Sequence, residues 1–206
     1  MKKFILTLLL LFTLPTLFFV ACDNDCFLAD YTVSVTKNIY KASNDEFDLT
    51  AEFVVTNKKC LVFTFKNQNL NQSYSIKLKN GYETNFTFND AFSYFSANLE
   101  VDDMPKSEFC AVLSTADKSY ELTFVSKLKG DFISEKVALN KLYEKQKTLI
   151  DAYTQNGIFN GKIILKATVY NDKAYWYVSL NFNDGKIKAL LLDGKTAELL
   201  AVKDLY

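Results

Sequence analysis

Between Tyr31 and Lys127 the apolar residues recur at every second position. Phe47, Leu49, Ala51, Phe53 and Val55 fall on one side of an extended chain, and Leu61, Phe63 and Phe65 repeat the pattern. Successive side chains of a strand point to opposite faces, so this spacing makes strands with one apolar and one polar face. Such strands bury their apolar faces against one another. Thr32 to Lys37, Ser75 to Lys79, Tyr82 to Phe88, and segments 94–101, 108–114 and 119–127 fit the same reading. Asn80-Gly81 between two alternating runs signals a hairpin, expected as a type I′ turn. About seven or eight strands at near-regular spacing predict an antiparallel β-sandwich over residues 31–130.

The layering resembles that of immunoglobulin-like folds in architecture only, since the sole tryptophan is Trp176, far outside this region. Lys129-Gly130-Asp131 punctuates a change of period. Beyond it Leu139, Leu142, Tyr143, Gln146, Leu149, Ile150 and Tyr153 follow i, i+3, i+4, i+7 spacing, the mark of a helix with one buried face. Ser134 is the expected N-cap, Glu135 favours the positive helix end, and Asn156-Gly157 supplies a left-handed stop. Strands are expected at Lys162–Tyr170, Ala174–Phe182, Lys186–Leu192 and Ala197–Lys203, joined by polar turns. The fold class is therefore mainly β with an α+β tail: a sandwich, then one amphipathic helix on a four-stranded antiparallel meander over 131–206.

In that tail, Tyr175-Trp176-Tyr177-Val178, then Asp184-Gly185-Lys186, then Leu192-Asp193-Gly194-Lys195-Thr196-Ala197-Glu198 resemble the PepSY domain. The resemblance covers about residues 138–203, with Ala197 where the family usually has Gly. It implies an extracellular, non-catalytic module associated with restraint of secreted peptidases or with envelope assembly.

The N-terminus carries an address. Lys2 and Lys3 precede the apolar run Phe4–Val20, and Ala21 precedes Cys22. This is the layout of an export signal. The run falls short of the ~20 residues of a membrane span, contains Pro15, and is followed by Asp23 and Asp25. Phe19-Val20-Ala21-Cys22 resembles the lipobox of bacterial lipoproteins, with Phe19 where Leu is usual. The resemblance implies a signal peptide over 1–21, a diacylglycerol on the Cys22 sulfur, fatty acyl chains such as palmitate, a lipid-anchored tether over 22–30, and residence on the outer side of the bacterial cell membrane. The alternative is an ordinary signal peptide cut near Ala21.

Composition excludes several chemistries. Histidine is absent, which removes Ser-His-Asp, Cys-His and His-metal sites. No arginine occurs, all positive charge is lysine, and the chain carries a formal net charge of +0. There is no basic field for nucleic acid and no bidentate phosphate reader. No cofactor, metal or catalytic residue is expected, and the chain reads as a binding module, not an enzyme. Cys26, Cys60 and Cys110 remain beside Cys22. In an oxidising compartment Cys60 with Cys110 is the favoured disulfide, against three free thiols. Glu100, Asp102 and Asp103 offer oxygen ligands for Ca²⁺, with a solvated turn as the plainer reading. Asn44-Asp45-Glu46 reads as a loop, and Ser114, Lys118 and Ser119 as a surface cluster. Tyr82, Phe86, Phe88, Phe92, Tyr94 and Phe95 read mostly as core, with an aromatic ligand site as the alternative. In the strand Ala174–Phe182, Trp176, Val178, Leu180 and Phe182 are expected under the helix, against Leu142, Leu149 and Ile150. Tyr175 and Tyr177 then point away, near Ile164 and Tyr170. This patch is covered either by the sandwich, as an interdomain interface, or by a protein partner.

Overall fold

The computed structural model describes residues 26–67, 69–70 and 72–205. The leader and Cys22 lie outside the described residues. Nine strands build the first part: β1 (Thr32–Ser43), β2 (Asp48–Val55), β3 (Lys59–Phe65), β4 (Ser75–Leu78), β5 (Glu83–Asn85), β6 (Thr87–Asn89), β7 (Tyr94–Glu100), β8 (Glu108–Ser114) and β9 (Ser119–Ser126). Then come α1 (Glu135–Ala152), a small hairpin of β10 (Thr154–Gln155) and β11 (Ile158–Phe159), and the meander β12 (Gly161–Tyr170), β13 (Lys173–Phe182), β14 (Ile187–Asp193) and β15 (Leu199–Leu205). The architecture is mainly β with one helix, as the alternation and the change of period predict.

The alternation fixes the sandwich core. Leu49, Ala51 and Phe53 of β2 and Leu61, Phe63 and Phe65 of β3 are buried against Ala111 and Leu113 of β8 and Leu122 and Phe124 of β9. Phe86, Phe88 and Phe95 pack on the same core, whereas Tyr82 and Phe92 are exposed, so the aromatic run expected mostly as core is internal only in part. The segment expected as one strand from Tyr82 to Phe88 is two: β5 pairs with β4, and β6 with β7. Phe86 marks the crossing between sheets, its N–H donating to Tyr74 O at 2.9 Å. The β4–β5 hairpin forms at Asn80-Gly81, but not as a type I′ turn. Of the two residues only Gly81 has positive φ (93°), and its N–H donates to Leu78 O at 3.0 Å. This is a three-residue loop ending in a left-handed glycine.

Two layers cover one side of a single long sheet. Its strand order is β15-β14-β13-β12-β1-β2-β3-β7-β6. β1 joins the halves. Its first residues pair in parallel with β12, Val35 opposite Leu165, while its other edge pairs with β2, Val35 opposite Val55. Lys37 is an extra residue in the β1–β2 ladder, and beyond it Tyr40 and Lys41 pair with β9. The bulge reverses the inward parity, so Val35 faces the helix-side core while Tyr40 and Ala42 face the sandwich core.

The second core lies between α1 and the meander. Ala138, Leu139, Leu142 and Ile150 of α1 meet Trp176, Val178, Leu180 and Phe182, with Leu149 at the margin. The Ser134 hydroxyl accepts from Val137 N–H, as an N-cap should. Asn156 and Gly157, both at positive φ, do not end the helix; they turn the β10–β11 hairpin. Residues 26–30 are likewise no free tether throughout. Cys26 and Leu28 are buried in the helix-side core, and Phe27 packs on Tyr143 and Tyr31. The boundary expected at residue 31 therefore corresponds to no break in packing.

Candidate functional site

The helix covers one face of β12–β15, and the second sandwich layer covers the same side of β1–β3. No helix or further strand layer of the described chain is stacked on the opposite face, although its central residues Thr36 and Ser179 are buried by their neighbours. On it β12 places Ile164, Lys166, Thr168 and Tyr170, and β13 places Tyr175, Tyr177 and Ser179. Tyr177 lies opposite Lys166 and Tyr175 opposite Thr168. Ile164 and Tyr170 flank this pair diagonally, within reach of aromatic side chains. The four residues expected to share a surface do share it. Tyr170 is 70% exposed and Ile164 38%, while Tyr175 and Tyr177 are half-buried by their neighbours.

The sandwich does not cover this face. The halves join edge to edge through β1 and β12, so the interdomain cover expected for the tyrosines is absent. The face instead runs on into the sandwich, where Lys166 Nζ on β12 meets Glu52 Oε1 on β2 at 2.8 Å. Beside that ion pair Thr50, Val62, Thr64 and Tyr94 line a shallow depression of about 530 Å³. Reading from sequence missed the contribution of β14. Ile187, Ala189 and Leu191 extend the tyrosine face, Leu191 lying opposite Tyr177. The signal was present, since Ala189 to Leu192 is apolar at every position and so calls for burial on both faces.

The cysteine pair is not formed. Cys26, Cys60 and Cys110 are free thiols. Leu61, Phe63 and Phe65 point into the sandwich, so Cys60 points out of its sheet. Phe109, Ala111 and Leu113 point in from the other layer, so Cys110 points out on the far side, its Sγ 3.8 Å from Thr123 Oγ1. Stacked sheets lie ~10 Å apart, and outward thiols on opposite layers exceed the reach of a disulfide.

The acidic turn is occupied by its own chain. Lys58 Nζ meets Glu100 at 2.6 Å, Lys59 Nζ meets Asp103 at 3.1 Å, and the Tyr82 hydroxyl donates to Asp102 at 2.7 Å. Among the described residues no cluster of three metal-ligating side chains occurs, and no helix is long and apolar enough to cross a membrane. The turn rims a cavity of about 510 Å³ at the sandwich end, floored by Leu78, Val101 and Phe109. Asn44 turns its loop through its own carboxamide, which accepts from Glu46 and Phe47 N–H. Lys118 reaches Glu46 at 3.7 Å, not Ser114, whose hydroxyl faces Ser119 at 3.1 Å. No protein-family model and no curated protein matches the chain.

Proposed function

We propose that this protein is a membrane-anchored extracytoplasmic bacterial lipoprotein that performs no chemistry and captures a protein partner on the bare face of β12–β15. The observation that carries capture is the apolar, aromatic surface of Tyr175, Tyr177, Ile164, Tyr170 and Leu191, which no element of the described chain covers. Tyrosine offers broad contact with a polar tip, and exposed apolar faces of this kind mark interaction sites. The address rests on the leader and Cys22. Acyl chains contribute ~0.8 kcal/mol per buried CH₂. Because Cys26 is already buried, the four steps from Cys22 span at most ~14 Å, which holds the helix-side half next to the bilayer.

Mass spectrometry of the mature N-terminus checks the anchor; an unmodified terminus refutes it. Tyr175→Ser combined with Tyr177→Ser tests the face. Cross-strand contacts of this kind contribute ~0.2–1 kcal/mol each, so the helix signal and a slightly lowered melting temperature persist. Partner capture falls at least about tenfold, since buried aromatic anchors cost ~2 kcal/mol or more. Capture unchanged in the double variant removes the proposal.

A second reading is a PepSY-like regulator of an extracellular peptidase. It is favoured by one observation: α1 lies on a meander with Trp176 and Val178 beneath it, closed by the Asp193–Glu198 turn. A peptidase that co-purifies with the chain, and is more active without it, supports this reading.

A further inference from the structure

A second site lies where the sandwich gives way to the helix. The chain from Lys127 to Phe132 folds against the turns at Asp172–Lys173 and Asp193–Lys195, and the three segments enclose a cleft of about 330 Å³. Its walls are tied together. Ile133 N–H donates to Gly194 O at 2.8 Å, Gly194 N–H to Ala174 O at 3.0 Å, and Phe132 N–H to Lys129 O at 3.0 Å. Lys195 is ion-paired with Asp131 across the cleft. Phe132 and Ala174 form an apolar floor, and the Phe132 ring packs on Trp176 with centroids 4.7 Å apart.

The charges around this floor are unevenly satisfied. Asp193 Oδ1 accepts from Lys195 N–H at 2.8 Å and Thr196 N–H at 2.9 Å, and Asp131 already holds Lys195. Among the described residues the ammonium groups of Lys127, Lys129 and Lys173, which line the same cleft, make no hydrogen bond or ion pair. The Asp172 carboxylate beside them has no partner either. Only Lys129 among these three acts on a neighbouring carboxylate, that of Asp131, which Lys195 already pairs; three ammonium groups around one enclosed space attract a compact anion, and lysine binds phosphate in this manner. A free carboxylate at the rim accepts hydrogen bonds from hydroxyl groups. The volume lies within the range of small-molecule sites, ~300–1,000 Å³.

We infer that this cleft binds a phosphate ester of a polyol. Lys127, Lys129 and Lys173 take the phosphate, Asp172 takes a hydroxyl, and the carbon chain rests on Phe132 and Ala174. The same chemistry is offered by a soluble sugar or glycerol phosphate and by a phosphatidylglycerol headgroup.

Trp176, the only tryptophan, sits under the floor and reports on it. The full chain is reconstituted in phosphatidylcholine nanodiscs and titrated with glycerol 3-phosphate, following calorimetric heat and tryptophan emission. Saturable heat with an emission change is expected for a soluble ester. The same emission change on exchanging part of the lipid for phosphatidylglycerol, with no added ester, assigns the headgroup as the source. In either arm Lys129→Gln with Lys173→Gln weakens binding at least tenfold and leaves the circular dichroism unchanged. The inference is overturned by no saturable response in both arms, by an equal response to sodium chloride at matched ionic strength, or by binding that the double variant retains. Tyr175→Ser with Tyr177→Ser leaves this binding intact, so the two sites are tested separately.

Discussion

Gly194 sits where the turn after β14 crosses β13. A Cβ at this position overlaps the Ala174 carbonyl oxygen and lies 2.7 Å from the Phe132 ring. Gly194→Ala therefore forces backbone apart, and overpacking of this kind costs ~1–3 kcal/mol. A urea melt read by Trp176 fluorescence checks it, and an unchanged midpoint refutes it. Tyr40 is a different kind of constraint. It is fully buried, and its hydroxyl donates to Pro105 O at 2.7 Å. Burial pushes the phenol from its ordinary 10.0 up to about 12, against a smaller lowering from Asn38. A raised native value means its contribution is whole below the ordinary value and is lost as pH rises through the native one. Tyr40→Phe should cost about 1 kcal/mol near neutrality and delete an ultraviolet titration step near pH 12. Residues such as these were partly legible. Tyr40 falls in an alternating strand, but nothing in one sequence says which carbonyl its hydroxyl meets. The cysteines illustrate the limit from the other side: spacing showed two strand cysteines, and only the in-or-out parity of Leu61 and Ala111 shows that they face opposite ways.

At the scale of elements, α1 was the clearest signal, because its apolar spacing and Ser134 cap agree. Its tie to the sheet was not visible. Glu135 in the first turn pairs with Lys37, the bulged residue of β1. Burial raises the Glu135 carboxyl, but Lys37 and a backbone N–H together outweigh it and hold the group below its ordinary value. A lowered native value makes the contribution present above the unfolded value and lost as pH falls through the native one. Both side chains are about a third exposed, so the pair contributes under ~1 kcal/mol. Glu135→Gln is therefore slightly less stable at pH 7, and the difference shrinks as pH falls below the ordinary carboxylate range, in paired urea melts. Leu142, fully buried, is the contrasting case: Leu142→Asp places an unpaired charge in the core and abolishes the tail's tryptophan environment. The hairpins were legible as hairpins but not in turn type, because Asn-Gly serves both a two-residue loop and the last two positions of a three-residue one.

At the scale of the molecule, two cores share one sheet. Strand periodicity revealed each core separately. It could not reveal that β1 belongs to both, because pairing between Val35 and Leu165 leaves no local trace. A fragment of residues 131–206 lacks β1, Cys26 and Leu28, which leaves β12 as an open edge above an incomplete core. Such a fragment should be poorly folded, and the full chain should melt in one transition, with tryptophan emission and far-ultraviolet dichroism coincident. Two separated transitions would contradict the shared strand. The same pairing sets an order of events in time. A chain that emerges N-terminus first can close β2 to β9 around β1 while the meander is still unmade, so one half of β1 waits as an unsatisfied edge. Contacts this distant in sequence form slowly and leave such edges exposed to wrong partners. In refolding followed by stopped flow, burial of Trp176 should therefore lag behind the first gain of strand signal, and the interval between them is when this protein is most exposed to aggregation.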